Sequence, residues 1–133
     1  MTNKELIFGN TLIAIYSGVE YELTEYDLPN KGIWHFDYLC SNNHQELDNM
    51  NVQYSVSCEF DMLQYHSNWN WLMPVLKKLE NDCPTKYWSG IIESLKTLDV
   101  FVVFQKVVEC LKECDLVKNT SLVALVNFQI EIK

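Results

Sequence analysis

Val52-Gln53-Tyr54-Ser55-Val56-Ser57-Cys58-Glu59-Phe60-Asp61-Met62 alternates apolar and polar residues without exception, and Asn70-Trp71-Leu72-Met73-Pro74-Val75-Leu76-Lys77-Lys78-Leu79-Glu80-Asn81, soon after it, does not. Side chains on a strand point to opposite faces in turn, so residues 52–62 predict an antiparallel strand with one wet face. In the second stretch Leu72, Val75, Leu76 and Leu79 recur every three or four positions, which predicts a helix from about Asn70 to about Asn81. Pro74 is expected in its first turn, where a missing N–H matters little, with Ser67, Asn68 or Asn70 as the cap. The change of period predicts a chain that combines sheet and helix.

Toward the N-terminus, Thr11 to Tyr16 is almost wholly apolar and suggests a strand covered on both faces. Val19, Tyr21 and Leu23 then alternate with Glu20 and Glu22, placing two carboxylates on one side of a second strand. Gly18 and Asp27-Leu28-Pro29-Asn30-Lys31-Gly32 read as turns, and Ile33 to Cys40 as a strand with Trp34, Phe36, Tyr38 and Cys40 on one face. Toward the C-terminus, residues 84–96 fit a helix opened by Pro84 and weakened by Gly90, with a short strand as the competing reading. Val100, Phe101, Phe104, Val107, Val108 and Leu111 form the apolar stripe of a further helix, and Val126, Phe128, Ile130 and Ile132 alternate as a closing strand would. Strands, then helices, then one strand describe a single α+β domain over residues 1–133. Its expected architecture is an antiparallel or mixed sheet with two or three helices packed on one face. Residues 20, 22, 53, 55, 57, 59 and 61 would mark the part of the sheet left in water.

Composition narrows the function classes. The 133 residues are 48% hydrophobic, enough for one core. There are 18 acidic residues against 10 Lys and no Arg, a net charge of −8. Direct nucleic-acid binding is not expected, because phosphate and guanine are read by Lys and Arg clusters and only Arg offers the bidentate fork. All of the net charge falls in residues 1–65. No apolar run is long enough for a membrane span, and Asn10 and Thr11 interrupt the only stretch resembling a secretory signal, so a cytoplasmic setting is expected. Five irregularly spaced cysteines then read as reduced thiols that pack as small hydrophobes. Cys110 and Cys114, four apart, lack the second ligand pair that zinc needs, and Cys40 with His44 lacks an orienting third group. No phosphate-binding loop, metalloprotease or nucleophile-elbow motif occurs, so no cofactor and no metal is expected and nothing in the motifs requires catalysis.

Two readings of a site stand side by side. Tyr65-His66-Ser67-Asn68-Trp69-Asn70-Trp71-Leu72-Met73-Pro74-Val75 resembles a segment, Y-H-x-x-W-x-W-L-M-P-V, of small uncharacterised proteins of Bacteroidetes bacteria and their phages. Gln105 to Lys112 resembles their closing helix, K-A-V-V-E-F-I-K, whereas the acidic first half and the apolar segment after that helix depart from the pattern. The likeness implies a phage or mobile-element source, hence host cytoplasm, and transfers no catalytic residue. Tyr65, His66, Trp69 and Trp71 offer rings and an imidazole at a helix start, which suits a small-ligand or nucleotide pocket; the same rings equally serve as packing anchors, the commoner use of Trp. Glu20, Glu22, Glu25 and Asp27 with Tyr21 and Tyr26 form the other candidate, a negative aromatic surface for a basic protein partner such as a host defence or nucleic-acid-handling enzyme. A solvated strand that preserves solubility explains the same charges. A homo-oligomer joined through a sheet edge is a third reading.

Overall fold

The computed structural model describes residues 1–23, 32–40 and 52–132, with the side chains of 23, 37–40, 52–56, 129 and 132 outside the description. In chain order the elements are α1 (Asn3–Tyr16), β1 (Glu20–Leu23), β2 (Gly32–Cys40), β3 (Val52–Glu59), α2 (Trp69–Asp82), α3 (Thr85–Leu95), α4 (Val100–Glu113) and α5 (Thr120–Ile132). Among the described residues, five helices and a three-stranded antiparallel sheet make an α+β fold, with more helix than the two or three expected. No helix among the described residues is long and apolar enough to cross a membrane.

The middle of the chain follows its patterning. The sheet order is β1-β2-β3, with Tyr21 opposite Trp34 and Trp34 opposite Cys58. Directly opposed residues share a face, so Tyr21, Trp34 and Cys58 point one way and Glu20, His35 and Ser57 the other. Strand β3 ends at Glu59 instead of Met62: a turn closes with Met62 N–H donating to Glu59 O at 3.0 Å, burying Phe60 and exposing Met62. Helix α2 starts where expected, with Asn68 Oδ1 accepting from Asn70 N–H at 2.9 Å. Pro74, however, lies in the second turn of α2, where it withholds the N–H that the Asn70 carbonyl would otherwise accept. Helices α3 and α4 form as read, α4 capped by Asp99 Oδ1 accepting from Phe101 N–H at 3.0 Å.

Both ends depart from the patterning. Residues 11–16 are the last turns of α1, not a strand, because Ile7 and every residue from Gly9 to Tyr16 are buried. A helix covered on all sides has no wet face to write a period into the sequence. The signal lies at its start, where Thr2-Asn3-Lys4-Glu5 has capping-box spacing: Thr2 Oγ1 accepts from Glu5 N–H at 3.1 Å. Its end is a Schellman motif, with Gly18 N–H on Ile15 O at 3.1 Å and Val19 N–H on Ala14 O at 3.0 Å, and Gly18 at φ +82°. Residues 126–132 belong to α5, not to a closing strand. There Val126 and Ile130, four apart, are buried while Phe128 between them is exposed, and Asn119 Oδ1 caps the helix by accepting from Leu122 N–H at 3.1 Å.

Helix α4 is the hub: α1, α2 and α3 pack on it, and α1 packs also on α5. The α1–α4 approach depends on Gly9, where a Cβ would sit 3.0 Å from the Phe104 ring and 3.1 Å from Val108. The α3–α4 connection holds Leu98 at φ 59° and 83% exposed, a left-handed position that a branched apolar side chain disfavours. Leu98→Asn is therefore expected to raise the urea midpoint at unchanged slope, a gain of roughly 0.5–1 kcal/mol; a fall in the midpoint contradicts it.

Candidate functional site

Asn10 is 3% exposed in the middle of α1, where an unpaired amide would be costly. Every polar atom of its side chain is used. Its Oδ1 accepts from Tyr65 N–H at 2.9 Å, and its Nδ2 reaches Leu6 O at 3.2 Å and His66 Nδ1 at 2.9 Å. Because the Tyr65 N–H fixes which end of the amide is oxygen, the His66 contact is a donation into Nδ1, and the imidazole is neutral with its proton on Nε2. Burial pulls the His66 pKa down from its ordinary value, in the same direction. The clasp ties the segment before α2 to α1.

The four aromatic residues singled out in the sequence sit in this segment and at the start of α2. Tyr65 is buried, and burial pushes its phenol well above the ordinary range, opposed by the Ser17 hydroxyl. The Trp71 ring meets Phe36 of β2 at 5.1 Å and Tyr65 at 5.3 Å, both edge-on. His66 lies edge-on to Phe104 of α4 at 5.9 Å, and half-buried Trp69 packs against the core. The structure thus brings Tyr65, His66 and Trp71 together as joints between α1, α2, α4 and the sheet. Two open clefts lie elsewhere, one of ≈ 340 Å³ along α3 and α4 beside Lys86, Tyr87 and Glu113, the other of ≈ 560 Å³ between α2 and α3 beside Met73, Trp88 and Leu95. None of the four rings lines either.

The acidic strand divides by pleat. Glu20 and Glu22 are exposed, and Glu59 stands on the same sheet face opposite Ile33, which itself faces Glu22. Among the described residues no ion pair involves Glu20 or Glu59. Tyr21 corrects the picture of an aromatic acidic surface: it points to the opposite, core-facing side. Its ring lies 4.6 Å from Trp34 and over Gly32, where it fills the place of a Cβ, and burial pushes its phenol up to about 12. Glu25, Tyr26 and Asp27 lie outside the described residues.

Strand register also assembles a row that no motif in the sequence announces. Glu22 Oε2 meets His35 Nε2 at 2.9 Å, and Ser57 Oγ meets His35 Nδ1 at 3.3 Å. Hydroxyl, imidazole and carboxylate in this order are the components of a hydrolytic triad. Here they lie flat on an open sheet face, with the Glu22 side chain 66% exposed, and neither cleft adjoins them. The placement of His35 opposite to Trp34 is readable from alternation; its partners are not, because alternation fixes the face a residue takes and leaves the pairing register open. Among the described residues no three His, Cys, Asp or Glu side chains are grouped as a metal ion would require, Cys110 and Cys114 included.

No protein-family model, no curated protein and no solved structure matches this chain.

Proposed function

We propose that the chain is a non-enzymatic binding or accessory protein that engages a basic protein through the glutamate face of its sheet. One observation carries this reading: Glu20, Glu22 and Glu59 share a single solvent-facing surface, and among the described residues no lysine neutralises any of them. A predominantly negative patch, with His35 beside Glu22 its one imidazole among the described residues, raises the encounter rate with an oppositely charged partner and repels nucleic acid. The helices, in this proposal, cover the other side of the sheet, the side to which Trp34 points and on which Phe36 touches Trp71 of α2. The likeness of residues 65–75 to proteins of Bacteroidetes and their phages supports a phage-type source, the host cytoplasm as the working compartment and a host enzyme as the partner.

A pull-down repeated at increasing salt tests the reading. The partner is expected to elute as the screening length falls from about 10 Å at 0.1 M toward about 3 Å at 1 M. Glu20→Lys combined with Glu22→Lys, both on an exposed strand face, is expected to abolish capture while leaving circular dichroism unchanged. A partner held equally at low and high salt, or indifferent to the double reversal, rejects the proposal. Tryptophan emission is expected to stay constant on titration with nucleotides; a change that Trp69→Ala removes would favour a ligand site around Tyr65, His66 and Trp69 instead.

A further inference from the structure

Along the sequence the nearest cysteine to Cys110 is Cys114, on its own helix. The fold gives it a closer partner from another element. Cys83 ends α2, its backbone N–H closing the last turn on Leu79 O at 2.8 Å, and its Sγ lies 3.0 Å from Cys110 Sγ on α4. That separation is only about 1 Å longer than a disulfide bond. The two thiols differ in access: Cys110 is 1% exposed, whereas Cys83 is half-buried at the corner between α2 and α3. We infer that Cys83 and Cys110 form a peroxide-sensitive dithiol, a modification site at which an oxidant reaches Cys83 and Cys110 resolves the product into a disulfide.

The chemistry balances with a hydroperoxide as the only added reagent. The Cys83 thiolate attacks one oxygen of hydrogen peroxide, the O–O bond breaks, and the departing hydroxide takes up the thiol proton as water, leaving Cys83 as a sulfenic acid. Cys110 Sγ then attacks Cys83 Sγ, the S–O bond breaks, and the hydroxyl leaves with the Cys110 proton as a second water. The two sulfurs together lose two electrons and the peroxide gains them. Burial, with the neighbouring Cys83 thiol, raises the Cys110 pKa, so the more accessible Cys83 is the sulfur that meets the oxidant first. The product fastens the α2–α3 corner to α4, and with it Asp82, whose carboxylate accepts from the Tyr16 hydroxyl at 2.6 Å and so holds the end of α1. In a reducing compartment such a bond is transient, as redox-sensing pairs are.

Folded wild-type protein treated with stepwise hydrogen peroxide and then alkylated tests the inference. Before alkylation intact mass is expected to fall by two hydrogens; after it, peptide mapping without reductant is expected to recover a Cys83–Cys110 cross-link, and Tm of the oxidised protein to rise by on the order of 10 °C, reversibly with dithiothreitol. Cys114→Ser is expected to keep the cross-link and Cys83→Ser to lose it. Sulfinic acid at Cys83 with Cys110 still alkylated, a bond from either residue to Cys58 or Cys114, or disulfide-linked dimers in place of the internal bond would each overturn it. The mapping on the unaltered chain decides between these outcomes even where a variant fails to fold.

Discussion

Replacing Trp34 by alanine is expected to destabilise the protein by about 3–5 kcal/mol, the range for emptying a buried aromatic site. Trp34 has no exposed surface, stands between Tyr21 on β1 and Cys58 on β3, and is the largest fully buried side chain among the described residues. A single domain holds only about 5–15 kcal/mol in total, so the urea midpoint of Trp34→Ala should collapse or the cooperative transition vanish. Trp34→Phe makes the sharper test. The indole Nε1 is buried and has no hydrogen-bond partner among the described residues, and an orphaned donor costs roughly 1–3 kcal/mol. Phenylalanine removes that burden while keeping most of the apolar volume, so its net cost should be about 1–2 kcal/mol. A loss for Trp34→Phe well beyond about 2 kcal/mol would show that the N–H is satisfied after all.

Asn10→Leu is expected to cost about 2–4 kcal/mol although the two residues are similar in shape, because it strands the Tyr65 N–H and His66 Nδ1 inside the fold. The same clasp gives stability a pH dependence with a definite sign. The His66 pKa is lower in the folded chain than its ordinary 6.5, so the unfolded chain binds the proton more readily. The contribution is complete above the unfolded value and is lost as pH falls from there through the folded value. Asn10→Asp reverses the electrostatics, since a carboxylate facing Nδ1 favours the imidazolium. In an NMR titration its His66 pKa should move up relative to wild type, and the acid-side loss of urea resistance should flatten. An unchanged His66 titration in Asn10→Asp would mean that residue 10 does not face the ring.

What the sequence disclosed follows from where water is. The segments read well, from β1 through α4, each keep one wet face: Glu20 and Glu22 against Tyr21, the exposed flank of α4 against Val107 and Leu111. Period is written by that contrast. Helix α1 has almost none of it, and α5 misleads because Val126, Phe128, Ile130 and Ile132 satisfy period two, while only the four-residue step from Val126 to Ile130 reflects burial. Caps at Thr2 and Asn119 carry the information that periodicity lacks. For the site, solvent exposure of Glu20 and Glu22 was legible, as was the anchoring alternative for Tyr65 and Trp71. The Glu22–His35–Ser57 row and the Cys83–Cys110 pair were not, since each joins distant segments through register or helix packing. Asn10 lay between the two cases: a lone amide inside an apolar run must find partners when buried, and the sequence does not name them.

The enclosure of α1 bears on how the chain is made. This helix leaves the ribosome first among the described elements, yet the surfaces that shelter it, α4 and α5, follow about a hundred residues later. Until they arrive, α1 lacks the two helices that pack along it. A nascent chain in this condition is a natural client for holdase chaperones, and ribosome-stalled lengths that omit residues beyond 115 should bind them more strongly than the finished protein does.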